Sequence, residues 1–209
     1  MIVAIVGGTG AEGMGLALRF AKAGAVVRIG SRSLEKAQDA ARRVGETAQS
    51  SQVEGFVNSE AVRGADAVVL TLPFESQAET LKGLSANLKP EAVIVDATVQ
   101  LKAQTPEASA VMASQSLPPG TRVAGAFHTL GAELLTDLEH GIDSDVLVVA
   151  DDPEAKRVGM ELVAMLPGAR AVDAGPLRNG RLIENLVSLL IAINRRNKVK
   201  HAGIRITGI

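Results

Sequence analysis

Three glycines near the start of the chain have a spacing that suits phosphate binding. Gly8, Gly10 and Gly13 fit the pattern G-x-G-x-x-G and follow an apolar run at residues 2–6. In this pattern the first glycine permits a tight turn, the second lets the backbone approach a pyrophosphate, and the third lets a helix pack closely on the strand. The helix N-terminus adds free N–H groups and positive potential. Because the pattern lies between a predicted strand and a predicted helix, it indicates a dinucleotide-binding loop rather than a simple turn.

One acidic residue, Glu12, lies within this loop. A carboxylate that faced a bound pyrophosphate would repel it, because both groups are negatively charged. We therefore expect the side chain of Glu12 to point to solvent and to leave its backbone N–H for the ligand.

The end of the second predicted strand indicates which dinucleotide binds. Domains that prefer NAD carry Asp or Glu about 20 residues after the loop, where it bonds the ribose 2′-hydroxyl. This chain has Ser31 and Arg32 at that place, and Lys36 follows one turn into the next helix. Ser31 can donate to a 2′-phosphate, and Arg32 can pair with it and stack on adenine. Unless Arg32 and Lys36 are ordinary surface charges, the sequence favours NADP(H) over NAD(H).

Other catalytic chemistries find little support in the residue types. The chain has no cysteine, and its three histidines lack metal-ligand spacing, so we expect neither thiolate catalysis nor a metal site. His128 is the one candidate for a catalytic role, because it follows a predicted strand at the edge of the sheet where ligands bind. It could bond a ligand ring or a phosphate, or it could tie down its own loop.

The composition is that of a globular protein that binds small molecules. Of 209 residues, 46% are hydrophobic and the net charge is -1, so no strong field attracts nucleic acid or an acidic membrane. The absence of Trp and Tyr argues against stacking platforms for nucleic-acid bases. The longest apolar stretch, residues 182–193, is shorter than the roughly 20 residues of a membrane span, and the N-terminus has no signal-peptide pattern. We expect a cytoplasmic protein without membrane or nucleic-acid partners.

Short apolar runs alternate with amphipathic stretches along the chain. Strands are predicted at 2–6, 26–30, 53–57, 65–72, 92–97, 122–127, 145–149 and 169–173, and helices at 14–23, 33–47, 75–88, near 105–115, from 153 and at 180–195. Ser33 and the acidic run at 151–154 are predicted helix starts. The alternation predicts an α/β fold, a Rossmann-type doubly wound parallel sheet with a small C-terminal extension of helix and strand. We divide the chain into an NADP(H)-binding domain, 1–125, and an extension, 126–209, within one compact unit.

The segment Asp-Ala-Gly-Pro-Leu at residues 173–177 has no general reason to occur in a Rossmann domain. Together with other segments it resembles one family, the NADPH:coenzyme F420 oxidoreductases, also called F420-dependent NADP reductases. The resemblance spans nearly the whole chain. The other matching segments are residues 5–10, 30–32, 70–73, 128–129, 181–182 and 203–204.

The resemblance implies hydride transfer between C4 of the nicotinamide of NADP(H) and C5 of the deazaflavin coenzyme F420. It also implies a homodimer with the long C-terminal helix at or near the interface, and an extension that completes the pocket of the second cofactor. The residues it places at the cofactors are Thr9, Gly10, Ala11 and Glu12 at the pyrophosphate, Ser31, Arg32 and Lys36 at the 2′-phosphate, Pro73, Phe74 and Ala78 near the dinucleotide, Leu101 and Leu130 on the nicotinamide side, and Ala132 and Ala202 at the deazaflavin.

Two alternative functions stay open on the sequence. The first is an NADPH-dependent reductase of a flavin or of a small imine or keto substrate. Related reductases carry a separate helical substrate domain, for which residues 126–209 leave little room. The second is a non-catalytic NADP(H)-binding protein, which would keep the glycine loop and Arg32 but lack a second pocket. A segment 126–132 packed shut over the nicotinamide would favour that alternative.

Overall fold

A computed structural model describes residues 1–101 and 105–209 of the chain. Its centre is one sheet of eight strands. The strands are β1 Ile2–Val6, β2 Val26–Ser31, β3 Val53–Val57, β4 Ala67–Leu70, β5 Val93–Asp96, β6 Arg122–Gly125, β7 Asp145–Ala150 and β8 Arg170–Asp173. The helices are α1 Ala11–Lys22, α2 Leu34–Ala48, α3 Asn58–Ala61, α4 Phe74–Leu84, α5 Ser109–Gln115, α6 Ala132–Thr136, α7 Pro153–Ala164 and α8 Gly180–Asn197.

The strand order across the sheet is β3-β2-β1-β4-β5-β6-β7-β8. Strands β1 to β6 pair in parallel, and β8 is parallel to β7. The direction in which the chain adds strands reverses between β1 and β4. Such a reversal creates a crevice at the carboxyl ends of the strands in an open α/β sheet. The predicted Rossmann-type α/β fold is therefore confirmed.

One strand pair differs from the parallel sheet that the sequence predicted. Strands β6 and β7 are antiparallel, with Gly125 opposite Val149. After β6 the chain stays at the carboxyl edge of the sheet, where α6 packs against α1. Strand β7 therefore begins at that edge and runs back along β6. The short helices α3 and α6 were not predicted either, because so few residues carry no full helical period.

Strand β1 shows how the apolar sequence divides between two layers. Val3 and Ile5 belong to an apolar core on one face of the sheet, while Ala4 and Val6 belong to the core on the other face. Successive side chains of a strand point to opposite faces, so a strand covered on both sides needs a continuous apolar run. The first core includes residues of α1, α2 and α7, and the second includes residues of α4 and α5.

The two helix starts that the sequence predicted are confirmed. The Ser33 side chain accepts a hydrogen bond from the backbone N–H of Lys36 at 3.3 Å, and α2 follows. The Asp152 carboxylate accepts from the backbone N–H of Ala155 at 2.8 Å, and Pro153 occupies the first turn of α7. Each cap satisfies an N–H group that has no partner within its own helix.

A buried arginine joins α1 to the segment around α6. Arg19 is only 3% exposed, and its guanidinium donates to the carbonyl oxygens of Leu134 and Leu135 at 2.7 and 3.0 Å. It also donates to the carbonyl oxygens of Asp137 and His140. The last carbonyl groups of a helix lack partners within the helix. One side chain of α1 therefore satisfies the carbonyl end of α6.

Asp145, at the start of β7, holds the final segment of the chain against the sheet. Its side chain is fully buried and accepts from Arg170 Nη2 at 2.7 Å and from Arg205 Nη1 at 2.9 Å. It also accepts from the backbone N–H of Ile206 at 2.6 Å. The hydrogen bond from Arg170 is the main reason that the pKa of Asp145 lies below its ordinary value. These contacts fix the segment that carries Ala202.

Helix α8 is the longest helix in the described part of the chain and has an exposed apolar side. Leu182 is 68% exposed, Leu189 is 55% exposed, and Ile193 is partly exposed. Their spacing places them along one side of the helix, because residues seven or eleven apart lie close in angle. Within residues 1–101 and 105–209, no helix combines the length and apolar character needed to cross a membrane.

Candidate functional site

A cavity of about 920 Å³ opens at the carboxyl edge of the sheet. Its walls come from the segments after β1, β2, β4, β5 and β6, from α8 and from the segment that carries Ala202. It lies where the strand order reverses between β1 and β4, which is where ligands bind in open α/β sheets. The volume is near the upper end of the roughly 300–1,000 Å³ typical of small-molecule sites.

The glycine loop lines the cavity at the N-terminus of α1. Gly10 is the N-cap of α1 and supplies no side chain that could compete for the first N–H groups of the helix. A Cβ atom at Gly10 would have its nearest neighbour, the carbonyl oxygen of Gly7, at 3.6 Å, so Gly10 leaves room for a ligand. A Cβ atom at Gly13 would lie 2.6 Å from Cα of Gly8. Glycine at position 13 therefore lets α1 approach the loop closely, as the motif predicted.

Two cations stand at the end of the cavity next to β2 and α2. Arg32 and Lys36 both line the cavity and are exposed, and neither forms an ion pair within the described residues. Ser31 is nearly buried, and its hydroxyl accepts from the backbone N–H of Ser33 at 3.3 Å. The hydroxyl proton of Ser31 is therefore available for an anion, and the two cations supply the positive charge that a phosphate monoester requires.

Most of the predicted site residues line this cavity. They are Thr9, Gly10, Ala11, Glu12, Ser31, Arg32, Lys36, Pro73, Leu101, His128, Leu130 and Ala202. Gly8 lies beneath the loop, where it is buried and donates its N–H to the Gly30 carbonyl at 3.0 Å.

Three predicted residues lie apart from this set. Phe74 and Ala78 are on α4, whose cavity-facing residues are 75, 76, 79 and 80, so positions 74 and 78 fall on the neighbouring side of the helix. Ala132 begins α6 and lines a second cavity of about 400 Å³ between α1, α2 and α6.

Glu12 does not point to solvent as the sequence suggested. Its side chain lines the cavity, and its Oε1 atom is buried without a hydrogen-bond partner among the described residues. Glu12 is the second residue of α1, and helical side chains tilt toward the N-terminus, which here faces the cavity. Burial, and secondly the nearby charge of Asp96, raise the pKa of Glu12 to about 8. Burial of Oε1 therefore favours the neutral form of the carboxyl group.

Asp96 ends β5 beneath the cavity and is fully buried. Its carboxylate accepts from Gln77 Nε2 at 2.8 Å and from the backbone N–H of Thr98 at 3.2 Å. The Ser109 hydroxyl lies 2.7 Å from its Oδ2 atom. Burial raises the pKa of Asp96 to about 6, although these hydrogen bonds favour the ionised form. Asp96 therefore gives up its proton at a lower pH than Glu12.

A second buried carboxylate, Glu184 of α8, organises the segment after β5. It accepts from the backbone N–H groups of Ser109 at 2.7 Å and Gln100 at 3.3 Å, and from Arg181 Nη1 at 3.1 Å. These bonds hold the start of α5 and the residue before Leu101. Glu184 therefore fixes the cavity wall at which the sequence placed Leu101.

His128 is 5% exposed and lines the cavity. Neither ring nitrogen has a hydrogen-bond partner within the described chain, so the structure shows no bond from His128 to its own loop. Phe127 precedes it with φ at 70°, a conformation that non-glycine residues adopt only under constraint. The Phe127 ring packs edge-on against Phe20 at 6.1 Å, which holds the turn. Burial lowers the pKa of His128 to about 4, so the imidazole is neutral.

Three side chains thus present unpartnered, buried polar atoms to one cavity: Glu12, Thr98 and His128. Buried polar groups normally have partners, so this concentration indicates that a polar ligand completes them. The sequence analysis missed Asp96 and Thr98. The run Asp-Ala-Thr after an apolar strand was a usable signal, because side chains at the carboxyl end of such a strand face the ligand crevice. Among the described residues, no cluster of potential ligands suits a metal ion.

A glycine loop at the strand-order reversal, an open helix N-terminus and free cations after β2 together define a dinucleotide-binding protein of the Rossmann class. A family model described as NADP oxidoreductase, coenzyme F420-dependent, matches residues 2–100. The F420-dependent NADP reductase of Methanothermobacter thermautotrophicus is 42% identical, over all of this chain and 96% of that protein. The enzyme of the same name from Methanocaldococcus jannaschii is 37% identical, over all of this chain and 99% of that protein. The chain belongs to the F420-dependent NADP reductase family.

Solved structures of similar fold agree with the architecture. An Arthrobacter sp. FB24 protein, provisionally described as an F420-dependent NADP-reductase, has a TM-score of 0.82 at 21% identity and covers 99% of both chains. The imine reductase BcSIRED from Bacillus cereus has a TM-score of 0.68 at 18% identity, and the match covers 94% of this chain but 62% of that one. At these identities the likeness supports the fold alone.

Proposed function

We propose that this protein transfers a hydride between NADP(H) and the deazaflavin coenzyme F420. The observation that carries the proposal is the cavity itself, in which the glycine loop, the free cations Arg32 and Lys36, and unpartnered buried polar atoms share one space. Relatives that match along their whole length are F420-dependent NADP reductases.

The cavity suits the phosphates of NADP(H). The open space at Gly10 and the first N–H groups of α1 suit the pyrophosphate. Arg32, Lys36 and the Ser31 hydroxyl, at the far end of β2, suit a 2′-phosphate, which NAD(H) lacks. With Thr9, Ala11 and Pro73 on the same wall, the cavity orients the dinucleotide from the β2 side toward β5 and β6.

The nicotinamide and the deazaflavin supply the hydride chemistry when they are bound, at C4 and C5 respectively. The protein's own task is to hold two rings face to face and to exclude water. Leu101, Leu130 and Leu190 give the cavity apolar surface near the carboxyl ends of β5 and β6. Thr98 and the neutral His128 offer hydrogen bonds to polar ring substituents there. Ala202 adds backbone groups from the final segment.

Residues 126–209 complete the cavity in this proposal, and the division at 125 marks where the dinucleotide-binding part ends. Residues 128–131 of the segment 126–132 line the cavity and leave space beside the glycine loop. That space argues against the alternative of a binding protein without a second pocket. A flavin, imine or keto substrate is the competing occupant. After β8 the described chain continues with a short 3-10 helix, α8 and the final segment, of which α8 and the final segment line the cavity.

We further propose that the protein is a cytoplasmic homodimer joined through α8. The exposed side chains Leu182, Leu189 and Ile193 form an apolar strip that a second copy would cover. Leu189→Glu should convert a dimer into a monomer in sedimentation velocity experiments. Leu34→Glu, at a similarly exposed leucine of α2, is the matched control and should leave the sedimentation coefficient unchanged.

The test of function is direct. Purified protein is mixed with NADPH and oxidised coenzyme F420, and the visible absorption of the deazaflavin is followed, with NADH, FMN and FAD in parallel. Bleaching with NADPH alone, and of the deazaflavin alone, is the expected result. Tight NADPH binding without bleaching would reject F420 as the partner and direct attention to flavin and imine substrates.

A further inference from the structure

Glu12 is an ionisable residue of the cavity for which the described fold shows no structural role. The Glu12 carboxyl lines the cavity, its Oε1 atom is buried, and no described residue bonds that atom. Neither an ion pair nor a helix cap explains this placement, because no described cation pairs with Glu12 and the N-cap of α1 is Gly10, without a side-chain hydrogen bond. The side chain faces the place where a pyrophosphate would meet the N-terminus of α1.

Asp96 and Glu12 compete for ionisation beneath the same ligand. Gln77 Nε2 and the Thr98 N–H donate to Asp96 and favour its carboxylate, whereas Glu12 has no such donor at Oε1. Hydrogen bonds to the charged form lower the pKa of a carboxyl, and a neighbouring negative charge raises that of its partner. The neutral form is therefore favoured at Glu12 more than at Asp96.

We propose that Glu12 is a cofactor-binding residue that acts as a neutral carboxylic acid and donates a hydrogen bond to an oxygen of the bound dinucleotide, at the pyrophosphate or its nicotinamide-side ribose. The inference rests on the proposed function only in placing NADP(H) in this cavity. A protonated Glu12 removes the repulsion that its carboxylate would exert on the pyrophosphate and adds a donor beside the N–H groups of α1.

The other ionisable groups around the cavity need to be separated from Glu12 in any test. They are Arg32 and Lys36 beside β2, Glu75 and Glu79 on α4, His128 after β6, and Arg181 with Glu184 on α8. His128, with a pKa of about 4, and Asp96, with a pKa of about 6, have lost their protons before pH 7. Phosphate monoesters such as the 2′-phosphate ionise near about pH 6. Measurements above pH 7 therefore avoid the titrations of His128, Asp96 and the 2′-phosphate.

The first measurement is the equilibrium affinity for NADPH between pH 7 and pH 9, followed by nicotinamide fluorescence without any second substrate. If only the protonated protein binds, the dissociation constant rises about tenfold across this range, since it is inversely proportional to the protonated fraction of Glu12. Glu12→Gln keeps a neutral donor of the same shape and should bind NADPH with little dependence on pH. Glu91→Gln removes the same charge at an exposed position outside the cavity lining and should retain the wild-type profile.

The second measurement is the proton taken up on binding, from calorimetry at pH 8 in two buffers of different ionisation enthalpy. The wild type should take up roughly half a proton for each NADPH bound, because about half of Glu12 is ionised at that pH. The Glu12→Gln variant should take up none. Thermal unfolding of each variant checks that the fold is intact.

The outcomes separate this inference from the proposed function. Failure of the wild type to bind NADPH at any pH would overturn both. Binding without pH dependence, or a Glu12→Gln variant with the wild-type slope and proton uptake, would overturn the role of Glu12 alone. A tenfold loss of NADPH affinity between pH 7 and pH 9 that is absent in Glu12→Gln but present in Glu91→Gln would establish the role of Glu12.

Discussion

Substitution of glycine by alanine should reduce stability at one position of the glycine loop and NADPH affinity at another. Gly13→Ala places a Cβ atom 2.6 Å from Cα of Gly8 and 2.8 Å from the Thr71 side-chain oxygen. The closest contact is backbone, so no side-chain rotation relieves it. Overpacking of this kind destabilises by about 1–3 kcal/mol, although alanine returns roughly 1 kcal/mol of helix propensity. The difference is a net loss of about 0–2 kcal/mol in the free energy of unfolding, and because the contact is with backbone we expect the upper half of that range.

Gly10→Ala should leave that free energy nearly unchanged. The backbone of Gly10, with φ at -76° and ψ at 166°, is ordinary for alanine, and the nearest atom to a Cβ is 3.6 Å away. Alanine is a poorer N-cap than glycine, which lowers the free energy of unfolding, but it also restricts the unfolded chain, which raises it. Each effect is below about 1 kcal/mol. The added methyl group does occupy the approach of the pyrophosphate. NADPH affinity should therefore fall at least about tenfold, or about 1.4 kcal/mol.

Urea denaturation and NADPH titration of both variants test the pair. The expected pattern is a stable Gly10→Ala protein that binds poorly and a Gly13→Ala protein with a lower denaturation midpoint. Unchanged NADPH affinity in Gly10→Ala would show that the pyrophosphate does not approach this loop. Wild-type stability in Gly13→Ala would show that α1 moves freely and that its packing on the loop is unimportant.

Three further predictions concern other parts of the molecule. Arg32→Ala should weaken NADPH binding by about 1.5–3 kcal/mol, the range for a charged hydrogen bond, and should barely affect NADH binding. Equal losses of affinity for both cofactors would exclude a contact of Arg32 with the 2′-phosphate. The same loss of NADPH affinity in Lys22→Ala, a substitution remote from the cavity, would also exclude it. Arg19→Met should reduce the free energy of unfolding by about 3 kcal/mol or more, because it strands several buried carbonyl groups; a change below about 1 kcal/mol in urea denaturation would contradict this. The pKa of Asp145 is lowered by Arg170, so the ionised carboxylate stabilises the fold above about pH 4, and that stabilisation is lost as the pH falls further. The Asp145→Asn variant should be less stable than the wild type at neutral pH and should lose less stability on acidification. An acid transition of the variant as steep as that of the wild type would refute the assignment.

Sequence reasoning succeeded where the chemistry is local. The glycine loop, the Ser33 cap and the acidic start of α7 each depend on residues within one turn of one another, so their types and spacing carry the information. The same holds for Arg32 and Lys36, which follow directly from the end of β2. The alternating pattern sufficed for the α/β class because each crossover needs only a strand, a helix and the next strand.

Sequence reasoning failed where distant segments meet. Glu12 was expected in solvent because the cavity that it lines is formed with segments after β4, β5 and β6, which lie far along the chain. The rotation of α4 turns positions 75 and 79 to the cavity, and the placement of Phe74 and Ala78 near the dinucleotide stays a prediction. The reversal of β7 depends on the packing of α6 against α1, which no local pattern encodes.

The guanidinium of Arg19 has a consequence for the exchange of parts between proteins. Helix α1 belongs to the dinucleotide-binding half, yet it completes the hydrogen bonding of a segment that lies after β6. A recombined chain that paired this first half with an unrelated C-terminal half would bury a positive charge without acceptors, and the reverse combination would bury carbonyl groups without donors. The two halves can therefore diverge in sequence, but a stable chain must keep Arg19 together with the segment whose carbonyl groups it bonds.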